Sequence, residues 1–131
     1  MIEKFEDLLA WQEARKLVKV ISLIIKKQGI NNDLILIDQI TRSSRSVMAN
    51  IAEGFGRYTY RDNRQFIIIA RGSLAETQNH LYIALDLDYI TREEFDNIYE
   101  LTVNIYKLLN GLANHLKKAQ DNINNKAIAN N

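Results

Sequence analysis

The chain has 131 residues, a length typical of a single domain, and it contains no Cys, which excludes disulfide bonds, thiolate metal sites and a Cys nucleophile. With 47% hydrophobic and 25% charged residues, it has the composition of a globular protein rather than of a disordered or membrane-spanning chain. The formal net charge of +1 excludes a basic field over the whole molecule, although a local basic patch is compatible with it.

Helix breakers are scarce, since the chain has no Pro and five Gly, and the long periodic stretches between them predict an all-helical fold. Helix one is predicted over residues 5–28, where apolar residues recur three or four positions apart along one stripe. Gly29 is expected to end this helix in the left-handed conformation. Asn32 or Asp33 is then expected to cap the N-terminus of helix two.

The second and third helices are separated by a short glycine-containing segment. Helix two is predicted over residues 34–57, ending around Gly54 and Gly56. Thr59 precedes an acidic residue by three positions, an imperfect capping box that indicates the start of helix three. Helix three is predicted over residues 60–87.

The clearest local signal is the segment ITREEF at 90–95, in which Thr91 caps a helix and Glu94 closes a capping box at the third position. Helix four follows, with an apolar stripe that reaches residue 118. The Asn-rich sequence beyond it has no sustained stripe, so residues 119–131 are predicted to be a frayed or disordered tail. Four helices joined by short turns predict an all-α, up-down-up-down antiparallel four-helix bundle over residues 1–118.

Charged residues are segregated along the chain although they nearly cancel. Residues 41–71 carry six Arg against two acidic residues, a net +4, whereas residues 76–100 carry seven acidic residues against one Arg, a net −6. Arg forms two-pronged hydrogen bonds with carboxylates and phosphates. The basic block therefore supplies the candidate nucleic-acid-binding residues, which are Arg42, Arg45, Arg57, Arg61, Arg64 and Arg71.

Helices two and three also have faces rich in Ser, Ala and Gly, whereas a solvated face normally prefers Lys, Glu and Gln. Packing against another subunit is the favoured interpretation, because interfaces are enriched in Arg and depleted of Lys and Glu. A simple solvated polar face and a phosphate-binding face remain open as alternatives. The candidate oligomer-interface residues are Ser46, Ala49, Asn50, Glu53, Arg71 and Gly72.

No motif for catalysis, metal binding or cofactor binding is present, so no such residues and no small-molecule substrate are predicted. A ferritin-like di-iron site requires two Glu-x-x-His pairs, and neither His80 nor His115 has Glu at that spacing. His80 is interpreted as a surface or interface residue. The N-terminus does not resemble a secretory signal, and no stretch approaches about 18 apolar residues, so no membrane contact and a cytoplasmic location are expected.

Three segments of the chain resemble a known family. FEDLLAWQEARKLV at 5–18, SSRSVMANIAEGFGR at 43–57 and FIIIARGSLAETQNHLYIALDLDYI at 66–90 are similar to signature segments of the four-helix bundle proteins, also called 23S ribosomal RNA intervening-sequence proteins. The family usually has a Phe-Pro turn and a Tyr-Gly-Leu near the start of helix two, whereas this chain has GINNDLIL at 29–36, without Pro. The conformation of the first turn therefore cannot be taken from the family.

The resemblance implies a bacterial up-down bundle that assembles into a ring, usually a pentamer. Some family members are encoded within insertions in 23S rRNA genes. A related branch serves diversity-generating retroelements as an accessory protein, and binds nucleic acid and the reverse transcriptase through a basic pentameric barrel. No enzymatic activity is established for the family.

The residues and the resemblance together predict a non-enzymatic, oligomeric bundle. Its expected partner is structured RNA, or an RNA–protein partner such as a reverse transcriptase, bound through the arginine-rich surface. The alternative is a ring-shaped scaffold for protein interactions with no nucleic-acid role, which the near-neutral net charge favours.

Overall fold

The computed structural model describes residues 2–130, and every regular element within them is helical. Two 3-10 turns, Phe5–Asp7 and Ile30–Asn32, accompany the four α-helices. These are α1 (Leu9–Ile24), α2 (Leu34–Phe55), α3 (Tyr60–Asp86) and α4 (Arg92–Ala129). The predicted all-α class is confirmed.

The helices form an antiparallel bundle in which consecutive helices pack together and α4 returns to α1. The contact between α2 and α3 is the most extensive of the four, and that between α1 and α4 is the smallest. Because the connecting segments are short, each helix lies antiparallel to the one before it. The predicted up-down-up-down arrangement is the observed one.

One hydrophobic core fills the space between the four helices. Its largest fully buried side chains include Leu17, Ile51, Leu74, Leu81 and Leu109, so every helix contributes at least one of them. These residues follow the three-and-four spacing from which the helices were predicted.

Three predicted helix starts are confirmed by side-chain caps. Asp33 Oδ1 accepts a hydrogen bond from the Leu36 backbone N–H at 3.0 Å and caps α2. Thr59 Oγ1 caps α3. At the start of α4, Thr91 and Glu94 exchange side-chain and backbone hydrogen bonds at 3.1 and 2.9 Å, the complete capping box.

The first helix is shorter than predicted at both ends. The predicted single helix over residues 5–28 is divided, because Leu8 is extended and separates the first 3-10 turn from α1. Leu9, an apolar residue of the predicted helix, is 53% exposed, while Ala10 and Ala14 are buried. The expectation that Gly29 ends this helix in the left-handed conformation is wrong, because α1 ends at Ile24 and Gly29, with φ +102° and ψ −71°, instead precedes the 3-10 turn Ile30–Asn32.

The C-terminal segment also differs from the sequence expectation. A frayed or disordered tail was expected after residue 118, whereas α4 continues to Ala129 and residues 121–130 are all exposed. An apolar stripe is needed to bury a helix but not to extend one, because each residue added to an existing helix costs far less than nucleation. Asn131 lies outside the described residues.

Candidate functional site

Within residues 2–130, no group of three or more His, Cys, Asp or Glu side chains is placed to hold a metal ion. The same residues include no helix long and apolar enough to cross a membrane. The remaining candidates for function are the charged and polar surfaces of the bundle.

The arginines of α3 face α4. Arg64 donates a hydrogen bond from Nε to the backbone carbonyl oxygen of Ala113 at 3.3 Å. Arg71 donates from Nη1 to Asn110 Oδ1 at 2.7 Å, and its guanidinium carbon lies 6.0 Å from the centre of the Tyr106 ring. Both arginines are half-buried, so these contacts hold their guanidinium groups in place on the α4 side of α3.

A groove of about 400 Å³ opens between the first turns of α3 and the later turns of α4. We call it the cationic groove, because three of its charged residues are basic and one is acidic. Its lining residues are Arg61, Arg64, Gln65, Leu116, Lys117, Gln120, Asp121 and Asn124. The α4 residues that line the groove were not among the functional candidates from the sequence. Helix four was expected to end near residue 118 and to be followed by a frayed or disordered tail.

The other three candidates, Arg42 and Arg45 of α2 and Arg57 just after it, do not line this groove. Arg42 forms an ion pair with Asp38 at 3.0 Å, one turn earlier on the same helix. Arg45 borders a different cleft, between α1 and α2. Arg57 is paired with Glu53 at 2.9 Å and lies 4.5 Å above the Phe66 ring.

The six candidate arginines are therefore divided among separate surfaces. Arg61, Arg64 and Arg71 lie on the α4 side of α3. Helical spacing alone could not show that the arginines of α2 and α3 lie on different surfaces. It does not reveal which face of each helix is covered by a neighbouring helix.

The candidate interface residues are divided as well. Ser46 and Asn50 are half-buried between α2 and α3, where Ser46 Oγ lies 2.8 Å from Ser73 Oγ and Asn50 donates to the Ser46 carbonyl oxygen at 2.8 Å. Ala49, Glu53 and Gly72 are exposed. These three are the most accessible of the set to another subunit, whereas Arg71 is half-buried and bound to Asn110 of α4.

A polar seam lies inside the contact between α2 and α3. Thr77 Oγ1 lies 2.9 Å from Ser43 Oγ and 3.1 Å from the Ser73 carbonyl oxygen, so its single hydroxyl proton has two acceptors within hydrogen-bond distance. Ser43, Ser73 and Thr77 are all buried. The seam explains why these faces are rich in small hydroxyl residues without invoking a partner.

His80 is buried within the bundle, so the surface location in its interpretation as a surface or interface residue is wrong. The side chain is only 8% exposed, and Nδ1 is buried without a hydrogen-bond partner within residues 2–130. Burial lowers the pKa of His80, and the nearby carboxylate of Glu76 opposes that shift. The imidazole is therefore stable in the fold in its neutral form.

Protonation of His80 is expected to destabilise the fold. As pH falls below about 6.5, the unfolded chain takes up a proton at His80 before the folded chain does, so the free energy of unfolding decreases. His80→Leu should remove this part of the pH dependence. Urea denaturation at pH 8 and pH 5 measures it, with His115→Leu, an exposed histidine, as control. An unchanged pH dependence in His80→Leu would show that other groups cause the loss.

The end of the bundle that holds the α1–α2 and α3–α4 turns is fixed by an ion pair and by hydrogen bonds. Lys27, beyond the end of α1, donates a hydrogen bond to Glu94 at the start of α4. That bond, together with the Thr91 contacts, lowers the pKa of Glu94. Tyr89 donates from its hydroxyl to Asp33 Oδ2 at 3.0 Å, which joins the turn before α4 to the turn before α2.

Comparisons with known proteins agree with this architecture. A family model described as 23S rRNA-intervening sequence protein matches residues 6–111. Among solved structures, the chain is similar to a protein of unknown function from Bacteroides thetaiotaomicron that belongs to the S23 ribosomal protein family. The TM-score is 0.74 and the sequence identity is 25%, and the match covers 80% of this chain and 98% of that one. No curated protein matches the chain.

Proposed function

Since the chain belongs to the 23S rRNA-intervening sequence protein family, we propose that it is a non-enzymatic, oligomeric bundle that binds structured RNA, free or in complex with a protein such as a reverse transcriptase. The observation that supports this proposal most directly is the placement of Arg61, Arg64 and Arg71 along the α4 side of α3. The family description points to RNA, and these residues supply the positive charge that RNA binding requires.

The antiparallel fold concentrates charge at its two ends. The turn between α2 and α3 brings the basic block of residues 41–71 to one end of the bundle, and the acidic block of residues 76–100 lies toward the other. The positive end attracts a phosphate backbone although the whole molecule is nearly neutral. Because A-form RNA is recognised mainly through shape and backbone contacts, the expected binding depends little on base sequence.

A ring would multiply this local charge. Ring closure requires a heterologous contact in which two different surfaces meet, and the basic end of one subunit complements the acidic region of the next. Ala49 and Gly72 are exposed, and a Cβ added at Gly72 would meet no atom within 4 Å. Close approach of a second copy is therefore sterically permitted there, and we propose a homopentamer as the assembly.

Reversing the charge of the α3 arginines tests the RNA proposal. We expect Arg61→Glu with Arg64→Glu to weaken binding of an RNA hairpin in low salt, and to reduce the slope of log affinity against log salt by about two. The matched control is Arg42→Glu with Arg45→Glu, the same charge change on surfaces of α2 away from the groove. Fluorescence anisotropy measures the affinity, and circular dichroism verifies that both double variants remain helical.

The assembly has its own test. Gly72→Trp or Ala49→Trp should reduce the mass measured by light scattering without reducing the helical content, because both residues point away from the core. A monomer mass for the wild-type protein at micromolar concentration would contradict the ring.

The second candidate function is a scaffold ring without RNA. It is favoured by the net charge of +1, since the acidic block of a neighbouring subunit can neutralise the same arginines. If the α3 double variant dissolves the ring, or the wild type binds the RNA hairpin no better than a neutral control protein, the scaffold accounts for the arginines and the RNA proposal is wrong.

A further inference from the structure

We infer that the cationic groove is the RNA phosphate-binding site of this protein, and that distal α4 (residues 112–129) completes it. This inference rests on the proposed function and specifies which surface carries it. The groove has one wall from α3 and one from α4, and its entire α4 wall lies between Leu116 and Asn124. The family-matched segment ends at residue 111, so this wall belongs to the part of the chain beyond that match.

The groove holds basic side chains that the fold leaves unpaired. Arg61, Arg64 and Lys117 form no ion pair within residues 2–130. Arg42 and Arg57 are paired with Asp38 and Glu53, whereas the exposed Arg15 and Arg45 are, like the groove cations, without an ion pair in that range. Together with Asp121 the three groove cations leave a net charge of +2 on a concave surface, which suits a polyanion.

The geometry orients one of these cations in advance. Arg64 is half-buried, and its Nε is bound to the carbonyl oxygen of Ala113, one helical turn before Lys117. Neither Nη of Arg64 has a hydrogen-bond partner within the described residues, so four N–H donors stay free for phosphate oxygens. A guanidinium held in this way loses little conformational entropy when a ligand binds.

The other polar residues of the groove suit the sugar-phosphate backbone. Gln65, Gln120 and Asn124 carry amide groups, which hydrogen-bond to phosphate oxygens and sugar hydroxyls in nucleic-acid complexes. Gln120 already donates to Asn124 Oδ1 at 3.1 Å, which aligns these two side chains along α4. The Asp121 carboxylate repels an anion. Removing its charge should therefore strengthen RNA binding, whereas removing a positive charge should weaken it.

The acidic block of residues 76–100 in a second copy is the competing occupant of the groove. Two of its carboxylates are already bound within their own chain, Glu94 by Lys27 and Thr91, and Asp96 by Arg92. Transferring them to the groove would break those contacts, whereas RNA phosphates exchange only mobile counterions.

Neighbouring lysines of α4 allow a closely matched experiment on the full-length protein. Lys117 lines the cationic groove, whereas Lys118, the next residue, is exposed and does not. With an RNA hairpin as the probe, we expect Lys117→Gln to weaken binding severalfold and to reduce the salt slope by about one. Lys118→Gln, which removes the same charge, should have a clearly smaller effect, and Asp121→Asn should tighten binding.

The outcomes separate the two proposals. If the RNA hairpin binds the wild type but Lys117→Gln and Lys118→Gln weaken it equally, or Asp121→Asn does not tighten it, the groove is not the site although RNA binding stands. If the wild type does not bind the hairpin in low salt, the proposed function fails and this inference fails with it. Mass measurement of each variant by light scattering shows whether any loss of binding arises instead from loss of assembly.

Discussion

Replacing Gly54 by Ala is expected to destabilise the fold by about 1–3 kcal/mol, the usual range for overpacking. Gly54 is buried in the last turn of α2, where α3 passes close to it. A Cβ built there would lie 2.7 Å from Asn63 Oδ1, 3.0 Å from the Asn63 carbonyl oxygen and 3.0 Å from Phe66 Cβ. The Asn63 side chain can rotate away, but the backbone oxygen moves only if α3 shifts.

The same substitution at Gly72 and Gly111 provides the control. Both glycines lie within helices and are exposed. A Cβ added at either position would have no heavy atom within 4 Å apart from the nearby backbone of its own helix. Because Ala favours the helix over Gly by about 1 kcal/mol, these two variants should be neutral or more stable than the wild type. Urea denaturation at one protomer concentration gives the free energies of unfolding. A Gly54→Ala variant as stable as Gly72→Ala would show that α3 adjusts without cost.

The different roles of these glycines show what the sequence could not reveal. Gly54 and Gly56 were expected to end helix two together, and α2 does end between them, at Phe55. However, Gly56 has an ordinary right-handed φ of −76°, and Gly54 is needed for the approach of another helix. A single sequence shows where glycines occur, but not which of them faces a neighbouring backbone.

The helices themselves were predictable because their signals are local. The apolar spacing and the caps at Asp33, Thr59 and Thr91 involve residues within one or two turns of each other, and all three caps are present. The burial of His80 was not predictable in this way, since it depends on how the helices pack against one another.

The candidate site was predictable only in part for the same reason. The α3 arginines were among the candidates from the sequence, but the groove that Arg61 and Arg64 line also includes Lys117, which lies 53 residues after Arg64. Its second wall required α4 to continue past the end of its apolar stripe. Composition suggested disorder there, whereas continuation of an established helix prevailed.

The turn between α1 and α2 is the segment that departs from the family pattern, and its core contact can be tested by substitution. The chain reverses there through Gly29, whose φ of +102° is strained for other residues, and a 3-10 turn follows at Ile30–Asn32. Ile30 is 0% exposed and belongs to the core although it lies outside the four α-helices. Asp33 then caps α2 and accepts a hydrogen bond from Tyr89, so the α2 side of the turn is held.

Ile30→Ala is therefore expected to cost about 2–4 kcal/mol, as much as removing a core residue from a helix, because the turn is too constrained to close the cavity. The matched control is Ile35→Ala, the same change five residues later at a position that is 73% exposed, for which the expected change is within about 0.5 kcal/mol. Thermal and urea denaturation of both variants measure the difference. Equal stability of the two would mean that the turn relaxes around the smaller side chain, and that the helices alone, without an anchored first turn, specify this bundle.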